Sequence, residues 1–517
     1  MKKTFIMLLA AAALGISGAV IPDPPHMPKR LPRVKSIGSK TVLTLTKSNT
    51  AIVIAPEAPA TTRHAAQEMA DLLGKVLGGK LKVFRAPQPG MVNIYLGFNA
   101  WSKKAGIDPA THHRDSFTMK INKDGVFIAG ADDPKVNPQR NLKGGIWGNL
   151  YERATVFGVY DFLERFAGAR FYFPGDLGTI LPAANALKLP ETTLFDYPDF
   201  INRKVSYYQG AWPGKPASYV ERNEKNLATH RYRLETFYIP SCHGLSRLGY
   251  IYRFGKSNPE YFASNSQGKS VLQFRNEHTN QLCFNSGIRQ EIYKDALSFL
   301  KGEPATVRGI RPYHRTDPKR IAWHSQLDLR IPVYDITPDD GYYPCRCPKC
   351  SKSFPDITGR SNKALSDFMW RYYADAANYV KGYGYIAAWI YYPTLLTPDF
   401  KLPDNILFVM CPKGPWSCGN ETVYKKEMEK VKTWGKITGN RMRLWNYMIK
   451  YPHGSYPGVP SNAPRAVARY YRDAAPYICG AFAEVGMERF MFQYLNLYVY
   501  YKALWDKIGR ASCRERV

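Results

Sequence analysis

The sequence predicts an α/β fold in which a (β/α)8 TIM barrel follows a small α/β domain with a mixed sheet. From residue 200 onward, eight short apolar segments each end at a polar break, and six helical patterns lie between and after them. Strands that alternate with helices are typical of a parallel barrel, and a span of about 300 residues suits that fold with loop insertions. A doubly wound sheet is the alternative, but it rarely needs eight such units.

The ends of the chain are set apart from both domains. Residues 1–19 have the charged start, the apolar run and the small-residue cleavage site of a secretory signal. Residues 20–41 are predicted to be a linker. Residues 507–517 show no apolar period and resemble a translated sequencing adapter, so we expect the natural barrel to continue past Trp505. The mature protein is therefore expected in the periplasm or outside the cell, without membrane contact.

The smaller domain is assigned to residues 42–198. A helix at 61–77 has one apolar face and is expected to be capped by Thr61 or Thr62. A second helix is predicted at 149–166. The predicted strands of the sheet are 42–46, 51–55, 81–84, 92–96, 117–121, 126–129 and 170–173.

The barrel is assigned to residues 199–506. Its predicted strands are 205–208, 234–239, 281–284, 331–336, 386–391, 406–410, 442–445 and 478–483. Its predicted helices are 217–231, 288–301, 361–380, 420–434, 463–474 and 488–504.

Side chains just past the strands of such a barrel face one shared pocket. This rim is rich in carboxylates, aromatic residues and amides, which suit a sugar because ring faces stack on it and amides and acids bind its hydroxyls. The ordinary alternatives are aromatic residues of the outer core, a structural loop histidine and an arginine that pairs with an acid. The candidate substrate-binding residues are Arg203, His243, Asn285, Tyr391, Tyr392, Trp445, Asn446 and Tyr447.

Three carboxylates are the catalytic candidates. Asp339 and Asp340 follow the fourth predicted strand, and Glu484 ends the last one. Glycoside hydrolysis usually needs two carboxylates, one as an acid and one as a base or nucleophile. Burial disfavours the charged form of a carboxylate, which would suit Glu484 as the acid. The alternatives are an acidic turn for the aspartates and an ion pair for Glu484.

The cysteines after this turn leave two structures open. Cys345, Cys347 and Cys350 have C-x-C-x-x-C spacing, which offers three of the four ligands of a structural zinc site. Cys411, Cys418 or His243 would complete it. In an exported protein, disulfides are the favoured alternative, and Cys411 could then pair with Cys418. Reduced thiols are the third possibility.

Several motifs resemble known families. Residues 144–182 (GGIWGNLYERATVFGVYDFLERFAGARFYFPGDLGTILP) resemble the small domain that precedes the barrel in α-glucuronidases and family 20 hexosaminidases. NPEYFA, QLCFNS, DDGYYPCRCPKC, LWNY and YKALW resemble the bacterial family of unknown function number 4838, which is regarded as glycoside-hydrolase-like. The resemblance implies a barrel and a carbohydrate-active class. In the hexosaminidases an acidic pair ends strand four, where Asp339 and Asp340 are counted here.

The formal net charge of +30 favours an anionic partner such as a uronate or sulfated glycan. The bases are scattered and no nucleic-acid motif is present, so nucleic acid is not an expected partner. No cofactor is expected, and the oligomeric state stays open. We therefore expect an exported glycoside hydrolase that acts on a glycan by carboxylate acid/base catalysis. The alternative is a non-catalytic carbohydrate-binding protein on the same barrel.

Overall fold

In a computed structural model of the protein, the described residues are 32–143, 150–208, 222–234, 236–241, 243–245, 248–273, 281–310, 323, 332–338, 342, 344–355, 362–447, 462–486 and 493–506. They form two α/β units. The predicted signal, part of the predicted linker and the adapter-like tail lie outside these residues. Among the described helices, none combines the length and apolar character needed to cross a lipid bilayer.

The first unit contains a seven-stranded mixed sheet in the order β1-β9-β5-β6-β4-β2-β3. Strands β2, β3, β4 and β6 are parallel, whereas β1, β9 and β5 add antiparallel pairs. Its elements are β1 (Val34–Leu45), β2 (Thr50–Val53), α1 (Ala60–Leu77), β3 (Val83–Phe84), β4 (Val92–Leu96), α2 (Ala100–Lys104), β5 (Phe117–Asn122), β6 (Gly125–Gly130), α3 (Pro138–Leu142), α4 (Ala154–Phe166), β7 (Arg170–Phe171), β8 (Thr179–Ile180) and β9 (Leu187–Asp196).

Several details of this unit differ from the prediction, including the start of α4 at Ala154 instead of residue 149 and the unpredicted short helices α2 and α3. Strand β1 begins at Val34, so it includes residues 34–41 that were assigned to the linker. The N-cap of α1 is Pro59, because Thr61 and Thr62 lie within the first turn. Their hydroxyls donate instead to the Asp133 carbonyl and the Asp132 carboxylate. Strand β9, which lies between β1 and β5 in the sheet, was not predicted.

The second unit contains six parallel strands in the order β10-β15-β14-β13-β12-β11. Its elements are β10 (Asn202–Tyr208), α5 (Arg222–Arg231), α6 (Tyr250–Phe254), α7 (Ile288–Leu300), β11 (Val333–Asp335), α8 (Pro348–Ser353), α9 (Lys363–Tyr379), β12 (Tyr385–Ile390), β13 (Ile406–Met410), α10 (Glu421–Thr438), β14 (Met442–Tyr447), α11 (Pro464–Ala474), β15 (Gly480–Gly486) and α12 (Tyr494–Trp505). The first strand lies beside the last, as in a (β/α)8 barrel whose second and third strands are replaced by loops.

The predicted second and third strands are not strands in the part of the chain that the structure describes. Residues 234 and 236–239 instead form no strand and lie beside β10, where Asn202 Nδ2 donates to the Phe237 carbonyl at 3.3 Å. Farther along, Leu245 N donates to the Thr337 carbonyl at 3.3 Å, just beyond β11. Residues 281–284 make one isolated bridge, between Phe262 and Leu282. The predicted α/β class and barrel-type arrangement are confirmed, with a curled parallel sheet closed by loops.

A buried network of charges joins the two units. Arg233 donates to Asp161 at 3.1 Å and to Glu164 at 2.7 Å, and both acids belong to α4. Lys502 of α12 also donates to Glu164. Trp505 is 2% exposed, and the Arg233 guanidinium lies 4.7 Å from the centre of its ring. Helix α12 therefore holds the barrel against the first unit.

Candidate active site at the barrel mouth

Alternate residues of the barrel strands face a common interior. Val333, Trp389, Val409, Trp445 and Phe482 come from five different strands and belong to one buried cluster. The residues between them pack against the outer helices in a separate core. Because side chains alternate along a strand, every second residue counted from these five faces the interior. This alternation decides which residues reach the mouth at the carboxyl ends of the strands.

Glu484 is a buried carboxylate in this inward-facing phase. It lies two residues beyond Phe482 on β15, and its backbone pairs in register with Tyr447 of β14. Its side chain accepts a hydrogen bond from Trp445 Nε1 at 3.2 Å, and the residue is only 4% exposed. The structure thus places Glu484 near the carboxyl end of the last strand, and the hydrogen bond from Trp445 orients one of its oxygens.

One wall of the mouth is a chain of edge-to-face aromatic rings. The His243 ring lies 5.5 Å from the Trp389 ring, and Trp389 lies 6.0 Å from Tyr391. Tyr391 then meets Tyr392 at 5.4 Å, and Tyr392 is 39% exposed. Three of the predicted contacts, His243, Tyr391 and Tyr392, are therefore brought together on one path from the barrel interior to solvent.

A second group of aromatic residues follows β13 and β14. The Trp445 and Tyr447 rings are 6.4 Å apart, and Trp416 Nε1 donates to the Tyr447 carbonyl at 3.1 Å. Tyr447 is 37% exposed and Trp416 is 39% exposed, so both present ring surface to solvent. Trp416 was not predicted. It could have been found, because it lies in a short 3-10 helix (Gly414–Gly419) between β13 and α10, past the carboxyl end of a barrel strand, where the rule for barrel mouths applies.

Two cations lie below this mouth inside the barrel. Lys204 Nζ is 4.3 Å and Arg443 Cζ is 4.5 Å from the centre of the Tyr238 ring, and Arg443 Nη2 donates to the Tyr238 hydroxyl at 3.3 Å. Both cations are at most 1% exposed. Among the described residues, Nε and Nη1 of Arg443 have no hydrogen-bond partner. Sequence reasoning missed both cations, although period-2 alternation from Trp445 places Arg443 on the inner face.

Asp335 is a second inward-facing carboxylate that the sequence analysis treated only as part of a strand. It ends β11 on the same face as Val333 and is 0% exposed. Its Oδ1 accepts from Thr337 N at 2.9 Å and from Thr337 Oγ1 at 2.7 Å. Asp339 and Asp340 lie outside the described residues.

The structure places two predicted contacts away from the mouth, and both assignments are corrected. Arg203 faces the first unit, where Nη2 donates to Asp115 at 2.9 Å, and it is 1% exposed. Asn446 faces the outer layer, where its Oδ1 accepts from the Tyr471 hydroxyl at 2.5 Å. Strand alternation is the reason in both cases, since each lies one residue out of phase with an inward-facing neighbour.

Asn285 and the cysteines complete the predicted set. Asn285 Nδ2 donates to Ser353 Oγ of α8 at 3.1 Å, at an exposed position. The seven described cysteines are all thiols, so the expected pairing of Cys411 with Cys418 is not present. Cys418 Sγ instead donates to the Ala466 carbonyl at 3.6 Å.

Comparison with known proteins finds similar solved structures but no matching protein family. No family model and no curated protein matches the chain. Among solved structures it is similar to BtGH115A, a family GH115 4-O-methyl-α-glucuronidase with specificity for decorated arabinogalactans, at 10% identity and a TM-score of 0.46. That match covers 90% of this chain and spans 57% of the glucuronidase.

Two hexosaminidases are also similar. The β-N-acetylhexosaminidase of Bacteroides fragilis matches at 12% identity and a TM-score of 0.41, covering 92% of this chain and 89% of that one. The N-acetyl-β-hexosaminidase of Streptomyces plicatus matches at 13% identity and a TM-score of 0.41, covering 91% and 89%. At these values the similarities carry no argument about activity or substrate.

Proposed function

We propose that the protein is an exported glycoside hydrolase of the periplasm or extracellular space, with Glu484 as its general acid. The observation that carries the proposal is the position of Glu484, which is buried among aromatic residues at the carboxyl end of β15 and oriented by Trp445 Nε1. A carboxylic acid in such a place can protonate the leaving oxygen of a glycosidic bond as that bond breaks.

The second carboxylate of the proposed mechanism comes from the segment after β11. Asp339 and Asp340 are the candidates for the base or nucleophile, because they follow a barrel strand whose last residue, Asp335, already faces the interior. In this mechanism the second carboxylate either activates water or attacks the anomeric carbon. The separation between the two carboxylates would decide which outcome occurs.

An acidic glycan is the proposed substrate class. The support is the pair of buried cations Lys204 and Arg443, and in particular the Arg443 guanidinium, which keeps two nitrogens without a hydrogen-bond partner among the described residues. A uronate carboxylate or a sulfate that reached this guanidinium could accept two hydrogen bonds. The ring faces of Tyr392, Tyr447 and Trp416 would stack on the sugar.

The test is hydrolysis of uronate-containing, sulfated and N-acetylhexosamine glycans, measured as the release of reducing sugar. We expect Glu484→Gln, Asp339→Asn or Asp340→Asn to lower the rate by about 10²–10⁴-fold, the usual contribution of a general acid or base. Glu421→Gln is the matched control, because Glu421 is an exposed carboxylate at the start of α10. Activity that survives all three substitutions at the mouth would exclude the mechanism.

A carbohydrate-binding role is the second candidate. It is favoured by the three mouth aromatics that are each more than a third exposed, Tyr392, Trp416 and Tyr447, since stacking on them needs no acid. Under this alternative, no glycan is hydrolysed, Glu484→Gln binds as tightly as the native protein, and Tyr392→Ala loses affinity. Isothermal titration with the same glycans separates the two functions.

A further inference from the structure

Four cysteines from two segments that are distant in sequence converge in one cluster. Cys283 lies in the loop that replaces the third predicted strand, and Cys345, Cys347 and Cys350 lie between β11 and the first turn of α8. The four Sγ atoms all lie within 4.8 Å of one another. Cys283 Sγ is 3.6 Å from Cys350 Sγ and 3.8 Å from Cys347 Sγ.

These separations fit a tetrahedral metal site better than a disulfide. Zn–S bonds of about 2.3 Å in a tetrahedron place the sulfur atoms about 3.8 Å apart, which matches the two separations above. A disulfide would bring one pair of sulfur atoms to about 2.05 Å, whereas all four cysteines are thiols and both separations above are much longer. Three of the four cysteines are buried and Cys347 is half-buried, so the cluster has little room for water.

The surroundings of the sulfur atoms suit thiolates. Ser264 N and Cys347 N each donate a hydrogen bond to Cys345 Sγ at 3.4 Å. Backbone donors of this kind stabilise negative charge on a ligating sulfur and fix its orientation. The intervening and following residues Arg346, Lys349 and Lys352 are basic, which offsets the net negative charge of four thiolates around one divalent cation.

We propose that Cys283, Cys345, Cys347 and Cys350 bind one structural zinc ion. Four protein sulfurs fill a tetrahedral shell and leave no open position for water or substrate, so the site is structural rather than catalytic. Thiolate ligands select a soft or borderline metal such as zinc over magnesium or calcium.

The ion would cross-link the part of the barrel that lacks strand pairing. Cys283 N donates to the Tyr261 carbonyl at 2.9 Å, and Arg346 N donates to the Ser264 carbonyl at 2.7 Å. Among the described residues, few ladder hydrogen bonds are present in this region, because residues 281–284 form only one bridge. A zinc ion would hold the Cys283 loop against the segment that follows β11, in place of the pairing that a third strand would supply.

The test is the metal content of the full-length protein, produced in zinc-supplemented medium and measured by plasma mass spectrometry. We expect one zinc ion per chain, and a fall to background in Cys283→Ser and Cys347→Ser. Cys418→Ser is the matched control, because Cys418 is also half-buried but lies outside the cluster; it should keep the full zinc content. Zinc retained by both cluster variants would overturn the proposal, as would iron in place of zinc.

Three further measurements keep the proposal testable if a cluster variant fails to fold. The native protein loaded with cobalt should show the charge-transfer and d–d bands of a tetrahedral thiolate site, and X-ray absorption should show only sulfur neighbours at about 2.3 Å from zinc. Intact mass under denaturing, non-reducing conditions should show these four cysteines reduced. A mass lower by two hydrogens for each pair of these cysteines would show that they form disulfides. That result in a protein without bound metal would refute the zinc site.

Discussion

Substitution of Arg203 by methionine tests whether this side chain serves the domain interface or a ligand. Arg203 Nη2 donates to Asp115 at 2.9 Å, and Nε donates to the Arg233 carbonyl at 2.8 Å. Burial alone would raise the pKa of Asp115, but the Arg203 and Arg114 cations hold it below its usual value. The pair is therefore charged although it is almost fully buried.

The expected cost follows from that burial. Methionine fills a similar volume but leaves the Asp115 carboxylate without its hydrogen-bonded cation, and removal of one partner of a buried ion pair typically costs about 3–5 kcal/mol. The control is Arg469→Met, because the Arg469–Glu421 pair has side chains that are 37% and 51% exposed. An exposed pair of this kind should contribute little, because solvent screens the attraction between its charges.

Urea unfolding followed by tryptophan fluorescence measures both values. The Trp505 ring lies 5.5 Å from the Arg203 guanidinium, so it reports on this interface. If Arg203→Met has the same urea midpoint as the native protein but loses glycan binding, the buried-pair reasoning is refuted. Arg203 would then be assigned to the ligand site again. A loss of stability with unchanged binding per folded molecule confirms it.

Three further substitutions follow from the structure. Burial lowers the pKa of His230 well below its usual value, so the unfolded chain binds the proton at a higher pH than the folded protein does. The contribution of neutral His230 to stability should therefore be complete above about pH 6.5 and fall as the pH drops. Thermal melts of His230→Gln should show a melting temperature that depends less on pH. Burial raises the pKa of Asp132 to about 6. The protonated side chain therefore contributes to folding stability at about pH 4, and this contribution is lost as the pH rises through 6. Asp132→Asn should therefore gain up to about 3 kcal/mol over the native protein at pH 7.5 and little at pH 4; an equal difference at both pH values would contradict this. Gly244→Ala would place a Cβ against the backbone and carboxyl carbon of Asp335 and should cost about 1–3 kcal/mol in chemical denaturation, whereas an unchanged midpoint would show that the loop moves freely.

Elements that bury both faces could be predicted from sequence. Residues 406–410 were predicted as a strand and form β13, because five consecutive apolar residues satisfy both the barrel interior and the outer helices. Strand β9 was missed because Pro190 interrupts its alternation of buried and exposed residues, and a proline within such a run argues against a strand. Its place in the sheet depends on antiparallel partners far away in the chain, which no local pattern reveals.

The candidate site shows a similar limit. A strand pattern fixes the alternation of side chains but not which phase faces inward, so the prediction included Asn446 together with both of its neighbours. Trp445 and Tyr447 face the mouth, and Asn446 therefore cannot. Cys283 was missed as a fourth ligand for a different reason. It lies far from the C-x-C-x-x-C motif in sequence, and only the fold brings it near.

The distribution of charge separates two explanations of the basic composition, namely packing between the two units and binding of an anionic ligand. At the domain interface, Arg203 and Arg233 are matched by Asp115, Asp161 and Glu164, so these cations stabilise the packing of the two units and are unavailable to a ligand. Inside the barrel, Arg443 lies against aromatic rings and keeps two nitrogens without a hydrogen-bond partner among the described residues. A net charge of +30 is therefore weak support for an acidic glycan when counted over the whole chain. The stronger support is local, because a buried guanidinium whose donors have no hydrogen-bond partner among the described residues gains most from an anion that accepts hydrogen bonds from them.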